Sequence, residues 1–418
     1  MEIAIVSDTH FGYRWGSERE DDPFENASEA FERTKESDMV LLPGDIFDKK
    51  VPKQEVLGRA VDCFNIYRGG ECTVKLSPES DVEHDFDGTP VVAIHGTHER
   101  RSKGFTNPIE LLEKMDYLLH LHNEKVVFEK DGEKVAVHGM SGVPERYAPA
   151  VLDRYDPEPV DDAYNVFVFH QSVEGLVYTS PDHSALSLED LPEGFDLLVD
   201  GHIHWKNFHL EGGKPLVIPG STVSTQMRKV EAEQPKGFVT VDTGTGEVDF
   251  HELESPRKLF YEELDVSGLS SVEVMEKVGE RMRKVLGDGS DKKPLVRLVL
   301  SGETNAAVKK SDIRDKYGED AILSISLQFE REGKREASPL QESSKSIAER
   351  GKELLQEKVG GSLKVDDLFE LLAEEEVDGA LELVEDMDVD RGQETEEEAE
   401  EEQGEGSRGG RTLRDFQE

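Results

Sequence analysis

Residues 39–48 read MVLLPGDIFD: the apolar run Met39–Leu42, a break at Pro43–Gly44, then Asp45 and Asp48. A short apolar run bounded by Gly, Pro or Asp is the pattern of a strand buried on both faces. The same grammar recurs. Glu2–Val6 precedes Asp8-Thr9-His10, and Val91–Ile94 precedes Gly96-Thr97-His98-Glu99. Val166–Phe169 runs into His170, and Leu197–Val199 precedes Gly201-His202-Ile203-His204. Val135–Val137 and Leu216–Ile218 are further runs of this kind. Helix-capable stretches, Asn26–Glu36 and Gln54–Tyr67, lie between the early runs, and the polar, helix-capable His183–Leu191 joins two later ones. Strand–helix alternation predicts an α/β sandwich over residues 1–255.

All five polar motifs follow strands. In parallel α/β sheets the loops after the carboxyl ends of strands converge on one edge, where ligands bind. The i, i+2 pairs Asp8/His10 and His202/His204 put both side chains on one face of an extended segment. Gly44, Gly96 and Gly201 open three of the motifs and predict tight turns or crowded backbone. Carboxylate and imidazole donors without thiolate suit Mn, Fe, Zn or Co rather than Ca. Two Asp and four His are too many for one tetrahedral ion. Two ions about 3.5–4 Å apart, bridged by one carboxylate, use that number, and such a pair activates water for in-line displacement at phosphorus.

The rest of the chain sets the context. Its 418 residues predict two or three domains. Asp and Glu number 92 against 49 Lys and Arg, a net charge of −43. Part of the acidity is the tail Glu394–Glu405, but carboxylates are dispersed throughout. Dispersed charge self-repels in dilute salt and is screened at molar salt, where the Debye length is about 3 Å. A high-salt cytoplasm is therefore expected. No run approaches the roughly 18 apolar residues of a membrane span, and no basic segment precedes the apolar start as in a signal peptide. Two cysteines, Cys63 and Cys72, exclude a disulfide-rich scaffold. A soluble intracellular protein is expected.

Pro256 opens a second unit. Leu259–Val266, Leu295–Leu300 and Ile322–Phe329 read as strands, and Ser271–Val285 and Ala306–Tyr317 as helices, a small α+β domain over residues 256–335. Residues 336–390 read as helical. Ile347, Leu354 and Leu355 mark one helix, and Val365, Leu368, Phe369 and Leu372 form an apolar stripe at i, i+3, i+4, i+7. Residues 391–418 are an acidic, disordered tail.

The order DxH, GDxxD, GNH[DE], H, GHxH is the signature of the calcineurin-like metallophosphoesterases, and residues 1–250 resemble that superfamily. Within it, DTHFG, GDIFD and GHIH resemble the Mre/SbcD-type DNA double-strand-break repair nucleases in a haloarchaeal form. The resemblance implies a four-layer sandwich of two mixed sheets flanked by helices, then a capping domain and a helical pair. It implies two Mn(2+): one held by Asp8, His10, Asp45 and His204, the other by Asp45, His170 and His202, with Asp45 bridging. His98 matches the family's non-ligand histidine, which protonates the leaving oxygen. Thr97 stands where the family has an Asn ligand, and its shorter, β-branched hydroxyl side chain makes it a weaker donor to the second ion. The implied activities are 3′-to-5′ exonuclease on duplex DNA and single-strand endonuclease. The implied partners are DNA, an SMC-like coiled-coil ATPase of the SbcC/Rad type and a second copy of the chain. Ile347, Leu354, Leu368, Phe369 and Leu372 would contact the ATPase. Basic residues follow the site motifs: Arg14 after the first, Lys49, Lys50 and Lys53 after the second, Arg100, Arg101 and Lys103 after the third, and Lys206 after GHIH. They are candidate DNA contacts. The alternatives are a small-substrate metallophosphatase or phosphodiesterase, which leaves the C-terminal helices unexplained, and a binding scaffold with a weakened second metal site.

Overall fold

The computed structural model describes residues 1–102, 104–176, 186–209, 215–287, 289 and 292–330. The chain begins β1 (Glu2–Ile5), α1 (Asp22–Thr34), β2 (Met39–Pro43), α2 (Gln54–Phe64), β3 (Lys75–Leu76), β4 (Val91–Ile94), α3 (Pro108–Lys114) and β5 (Leu119–His120). It continues β6 (Glu124–Lys130), β7 (Glu133–Met140), α4 (Ala148–Tyr155), β8 (Tyr164–Phe169), β9 (Leu197–Asp200), β10 (Asn207–His209) and β11 (Leu216–Ile218). Then come α5 (Lys229–Ala232), β12 (Gly237–Asp242), β13 (Glu247–Glu252), β14 (Leu259–Asp265), α6 (Ser271–Leu286), β15 (Leu295–Glu303), α7 (Lys310–Tyr317) and β16 (Ile322–Glu330).

Two mixed sheets, ordered β13-β12-β1-β2-β4-β5 and β10-β11-β9-β8-β7-β6-β3, carry the first 252 residues. Period-two alternation sorts each apolar run between two cores. Ile3, Ile5, Met39 and Leu41 from the first sheet meet Val126, Val137, Val166 and Val168 from the second in a core between the sheets. Their neighbours Ala4, Val6, Val40 and Leu42 face Phe24, Phe31, Val56 and Phe64 of α1 and α2. On the far side, Phe167, Phe169, Leu216 and Ile218 pack with Ala148 and Leu152 of α4. The layers run helices, sheet, sheet, helix. Each such aliphatic side chain contributes about 1.5–3 kcal/mol when buried, so runs with an apolar residue at every position are what this sandwich requires.

Residues 259–330 have their own core. β14, β15 and β16 are all parallel, and Val274, Val278 and Met282 of α6 join Ile313 of α7 over Leu264, Leu298 and Leu300. Both helices share one core over the same three-stranded sheet. The small α+β expectation is thereby refined: the unit is a parallel β-α-β-α-β. It is fastened to the start of α1, where Arg257 meets Asp22 at 2.7 Å, Lys293 meets Glu18 at 2.9 Å and Lys292 pairs with Glu25.

Element ends depart from the sequence reading for local reasons. α1 starts before Asn26, with Pro23 in its first turn. α7 starts at Lys310 rather than Ala306, where the Asp312 carboxylate accepts the Lys309 N–H at 2.9 Å. The expected helix His183–Leu191 is a turn over its described part, 186–191. Asp190 accepts both the backbone N–H and the hydroxyl of Ser187, a local alternative to helical bonding. Residues 101, 102, 104 and 105 belong to a compact unit separate from that of residues 1–100 and 106–330. Ile347, Leu354, Leu368, Phe369, Leu372 and the 391–418 tail lie outside the described residues, as does Lys103.

Candidate metal centre

The first three motifs follow β1, β2 and β4 of one sheet, and the last two follow β8 and β9 of the other. The rim is thus shared by two facing sheets. The first two motifs are zipped together: the amides of His10 and Phe11 donate to the carbonyls of Asp45 and Ile46 at 3.0 and 2.7 Å, and the Asp48 amide returns to Phe11 at 3.1 Å. Asp8, His10, Asp45 and His202 all have left-handed φ, between 47° and 63°. Such backbone costs on the order of 1–3 kcal/mol per residue and persists where the surroundings enforce it.

The glycines serve close approach. A Cβ on Gly44 or on Gly201 would fall 2.5 Å from His170 Nδ1, and one on Gly96 would fall 2.2 Å from Asp45 Oδ1. The ring of His170 is therefore seated between two bare backbones. Its Nδ1–H donates to the Pro43 carbonyl at 2.8 Å. A carbonyl can only accept, so in the neutral ring the lone pair sits on Nε2, which faces Asp45 Oδ2 at 3.2 Å.

Among the described residues, three groups bring ligand atoms within 4.8 Å of one another: Asp8/His10/Asp45/His204, Asp45/His170/His202 and His10/Asp48/His98. The first two are the expected sets, and Asp45 belongs to both. Asp8, His10, Asp45, His170 and His204 are buried. His10 and His204 approach Nε2 to Nε2 at 3.1 Å, with Asp8 Oδ1 3.7 Å from His204. Asp8 Oδ1, His10 Nδ1 and His170 Nε2 are buried without a hydrogen-bond partner. Orphaned buried acceptors on carboxylate and imidazole fit divalent cations of the Mn, Fe or Zn type.

The electrostatics agree. Burial, reinforced by Asp45, pushes the Asp8 carboxyl up to about 7. Burial also holds the His10 and His204 imidazoles well below their usual value, and His202 at about 4. Burial opposes ionisation of Asp45 too, but His170 outweighs it and holds that carboxyl well below the ordinary range. Desolvation likewise opposes a charged His170, yet Asp45 raises it to about 10. Neutral imidazoles at His10, His202 and His204 beside an ionised Asp45 are the protonation states that metal ligation needs, while His170 would give up its proton to bind an ion.

His98 stands at the mouth, half exposed. Its Nδ1 donates to the Asp48 carbonyl at 3.1 Å, its amide donates to Asp45 Oδ1 at 2.9 Å, and Nε2 lies 3.9 Å from Asp45 Oδ2. Desolvation works against its charge, but Asp45 and the Asp48 carbonyl raise its pKa. Thr97 is half-buried in the turn before it. Arg14 and Lys49 are exposed on the first two motif loops, while Lys50 and Arg100 are half-buried. Lys206 is turned onto Phe250, its Nζ 4.0 Å from the ring centre. Within the separate small unit, the Arg101 guanidinium lies 4.7 Å over Phe105.

Two buried carboxylates escaped the sequence reading. Glu99 accepts the amides of Phe47 and Gly96, each at 2.7 Å, which ties the second motif to the third. Burial, with Asp45 adding to it, raises its carboxyl to about 8. Asp200, at the end of β9, accepts the Gln171 amide at 3.2 Å behind His170, and burial raises it well above the ordinary value. Glu99 stands inside a motif already singled out; Asp200 reads as a strand end.

The calcineurin-like phosphoesterase family model matches residues 1–206. The DNA double-strand break repair protein Mre11 of Methanopyrus kandleri is 31% identical over 295 residues, covering 64% of this chain and 60% of that protein. The Mre11 protein of Thermoplasma acidophilum is 27% identical, covering 73% and 78%. That of Archaeoglobus fulgidus is 25% identical, covering 91% and 85%. The chain thus spans less than two thirds of the Methanopyrus protein's length. Residues 1–206 carry a calcineurin-like phosphoesterase domain, in a chain similar to the archaeal Mre11 proteins.

Proposed function

We propose that the chain is a Mn-dependent DNA nuclease, a phosphodiester hydrolase that processes double-strand breaks as the nuclease subunit of a complex with an SMC-like coiled-coil ATPase. The observation that carries this reading is the pair of buried His/Asp clusters sharing Asp45, with His98 beside them and in neither. Asp8, His10, Asp45 and His204 would hold one ion, and Asp45, His170 and His202, with Thr97 a weak or water-mediated donor, the other. Two bound cations would supply positive charge to the phosphate oxygens and activate the attacking water.

The chain's own residues do the rest. His98 keeps its Nδ1–H on the Asp48 carbonyl, which leaves Nε2 to present a proton to the departing oxygen. Asp45 and the Asp48 carbonyl favour the protonated form of His98 against its desolvation. Gly44 and Gly201 hold His170 rigid, and Glu99 fixes the separation of the Asp45 and His98 loops. Pre-set ligands of this kind need no reorganisation when the phosphodiester arrives.

DNA as substrate is supported by the names of the three archaeal relatives and by the exposed Arg14 and Lys49 beside the site. Residues 256–335 would cap the DNA, 336–390 would bind the ATPase, and a second copy would complete the assembly. The dispersed acidity supports a high-salt cytoplasm, and among the described residues no helix is long and apolar enough to cross a membrane. Incubating the purified chain with Mn, labelled duplex DNA and a chromogenic phosphodiester tests the reading. Mn-dependent 3′-to-5′ degradation is expected. Cleavage of the small ester alone points to a small-substrate phosphodiesterase, and no cleavage of either points to a scaffold.

A further inference from the structure

Behind His204 lies a buried ion pair that the chemistry above does not use. Lys236 Nζ has three protons and three acceptors: the His204 carbonyl at 2.8 Å, Ser221 Oγ at 2.9 Å and Glu231 Oε1 at 2.7 Å. Glu231 is equally saturated. Its Oε1 also accepts the Thr225 amide at 3.1 Å, and its Oε2 accepts those of Gln226 and Met227 at 3.1 and 2.9 Å. Both side chains are buried, 6% and 1% exposed. The turn wrapped on Glu231 includes Met227 at a left-handed φ of 52°. At its start, the Thr225 hydroxyl meets His204 Nδ1. The same turn is braced from the first motif's loop, where Tyr13 Oη donates to the Thr225 carbonyl at 2.7 Å.

We propose that Lys236, Glu231 and Thr225 are positioning residues for the metal centre: the ion pair fixes both the backbone of His204 and the turn whose hydroxyl sets its ring. A buried charged pair is costly unless every proton and lone pair is matched, and here each one is. When Thr225 Oγ accepts from Nδ1–H, the His204 lone pair is confined to Nε2, on the side of Asp8 and His10. Neither Lys236 nor Glu231 reaches the first cluster itself, so they act only through His204. This rests on the reading of that cluster as a metal site.

The test is a titration of the full chain with Mn(II) alone, free Mn being read by electron paramagnetic resonance, alongside thermal melts. Thr225→Val is nearly isosteric and removes only the hydroxyl; it should weaken one Mn equivalent about 10–100-fold, the range for groups that orient a ligand, and leave the other unchanged. Thr225→Ser should restore it. Lys236→Met should weaken the same equivalent. Should Lys236→Met fail to fold, the Thr225 pair still decides. An unchanged titration for Thr225→Val, or equal weakening by Val and Ser, would overturn the proposal. No Mn binding by the unaltered chain would instead overturn the metal-centre reading itself.

Discussion

Gly96→Ala isolates the shared carboxylate. Gly96 does not have left-handed φ, so an alanine there adds no backbone strain. Its methyl would instead fall 2.2 Å from Asp45 Oδ1, 2.4 Å from Asp45 N and 2.8 Å from Asp45 Cγ. Restoring ordinary contact, at roughly 3.5 Å, requires Asp45 to retreat by about 1 Å. Metal–ligand distances tolerate about 0.2 Å. Because Asp45 sits in both clusters, both ions should bind more weakly, on the order of 100-fold each, or about 2.8 kcal/mol per ion. Gly16→Ala is the matched control: its φ is +80° and nothing lies within 4 Å of the added carbon, so it should cost about 1 kcal/mol of stability and leave metal binding intact. Mn titrations with thermal melts on both variants decide the matter. Two Mn bound by Gly96→Ala at unchanged affinity would refute the assignment of Asp45 as the bridge.

His98→Ala should leave both Mn equivalents nearly intact by calorimetry while lowering turnover about 10²–10⁴-fold, the usual contribution of a positioned acid; loss of one equivalent would make it a ligand. Thr97→Asn should tighten the weaker Mn step about 10–100-fold and raise cleavage at limiting Mn, whereas an unchanged titration would reduce Thr97 to a turn residue. The melting midpoint should rise from dilute to molar KCl as the carboxylates are screened, and a steady fall would contradict the high-salt reading. Asp22, 3% exposed, holds Arg257 at 2.7 Å and Arg19 at 3.1 Å. A double-mutant cycle of Asp22→Asn and Arg257→Met should therefore give a coupling of about 1–3 kcal/mol in stability, and a value near zero would show that this contact does not fasten the third sheet.

Most of the sandwich was legible because burial on both faces leaves an unbroken apolar run. Met39–Pro43, Val91–Ile94 and Leu216–Ile218 are strands at or within one residue of the runs that announce them. Strands that face water on one side were not announced. β13, with alternating exposure, and β6, with polar ends, were not read as strands; β13 pairs antiparallel with β12, equally unannounced, and β6 with β7 around the Val135–Val137 run. The division of five motifs between two sheets was equally hidden. Every motif follows a strand in the same way, and nothing local says which sheet that strand joins.

The ligands and their supports are separated by the same logic. A ligand must have particular chemistry at particular spacing, so Asp8/His10 and His202/His204 stand out as i, i+2 pairs. A support needs only to reach a backbone amide or carbonyl, and many polar residues could do so from many positions. Glu231 satisfies three amides and Lys236 holds the His204 carbonyl, yet in the sequence they are an acid and a base in a polar, mixed-charge stretch, like dozens of solvated ones. Only burial distinguishes them. In a chain of net charge −43, most carboxylates keep their charge in water. Asp8, Glu99 and Asp200 are driven toward the neutral form by burial, while Asp45 is held ionised against it by His170. That contrast leaves one ionised carboxylate where the two clusters meet, paired with His170, whose proton an incoming cation would displace.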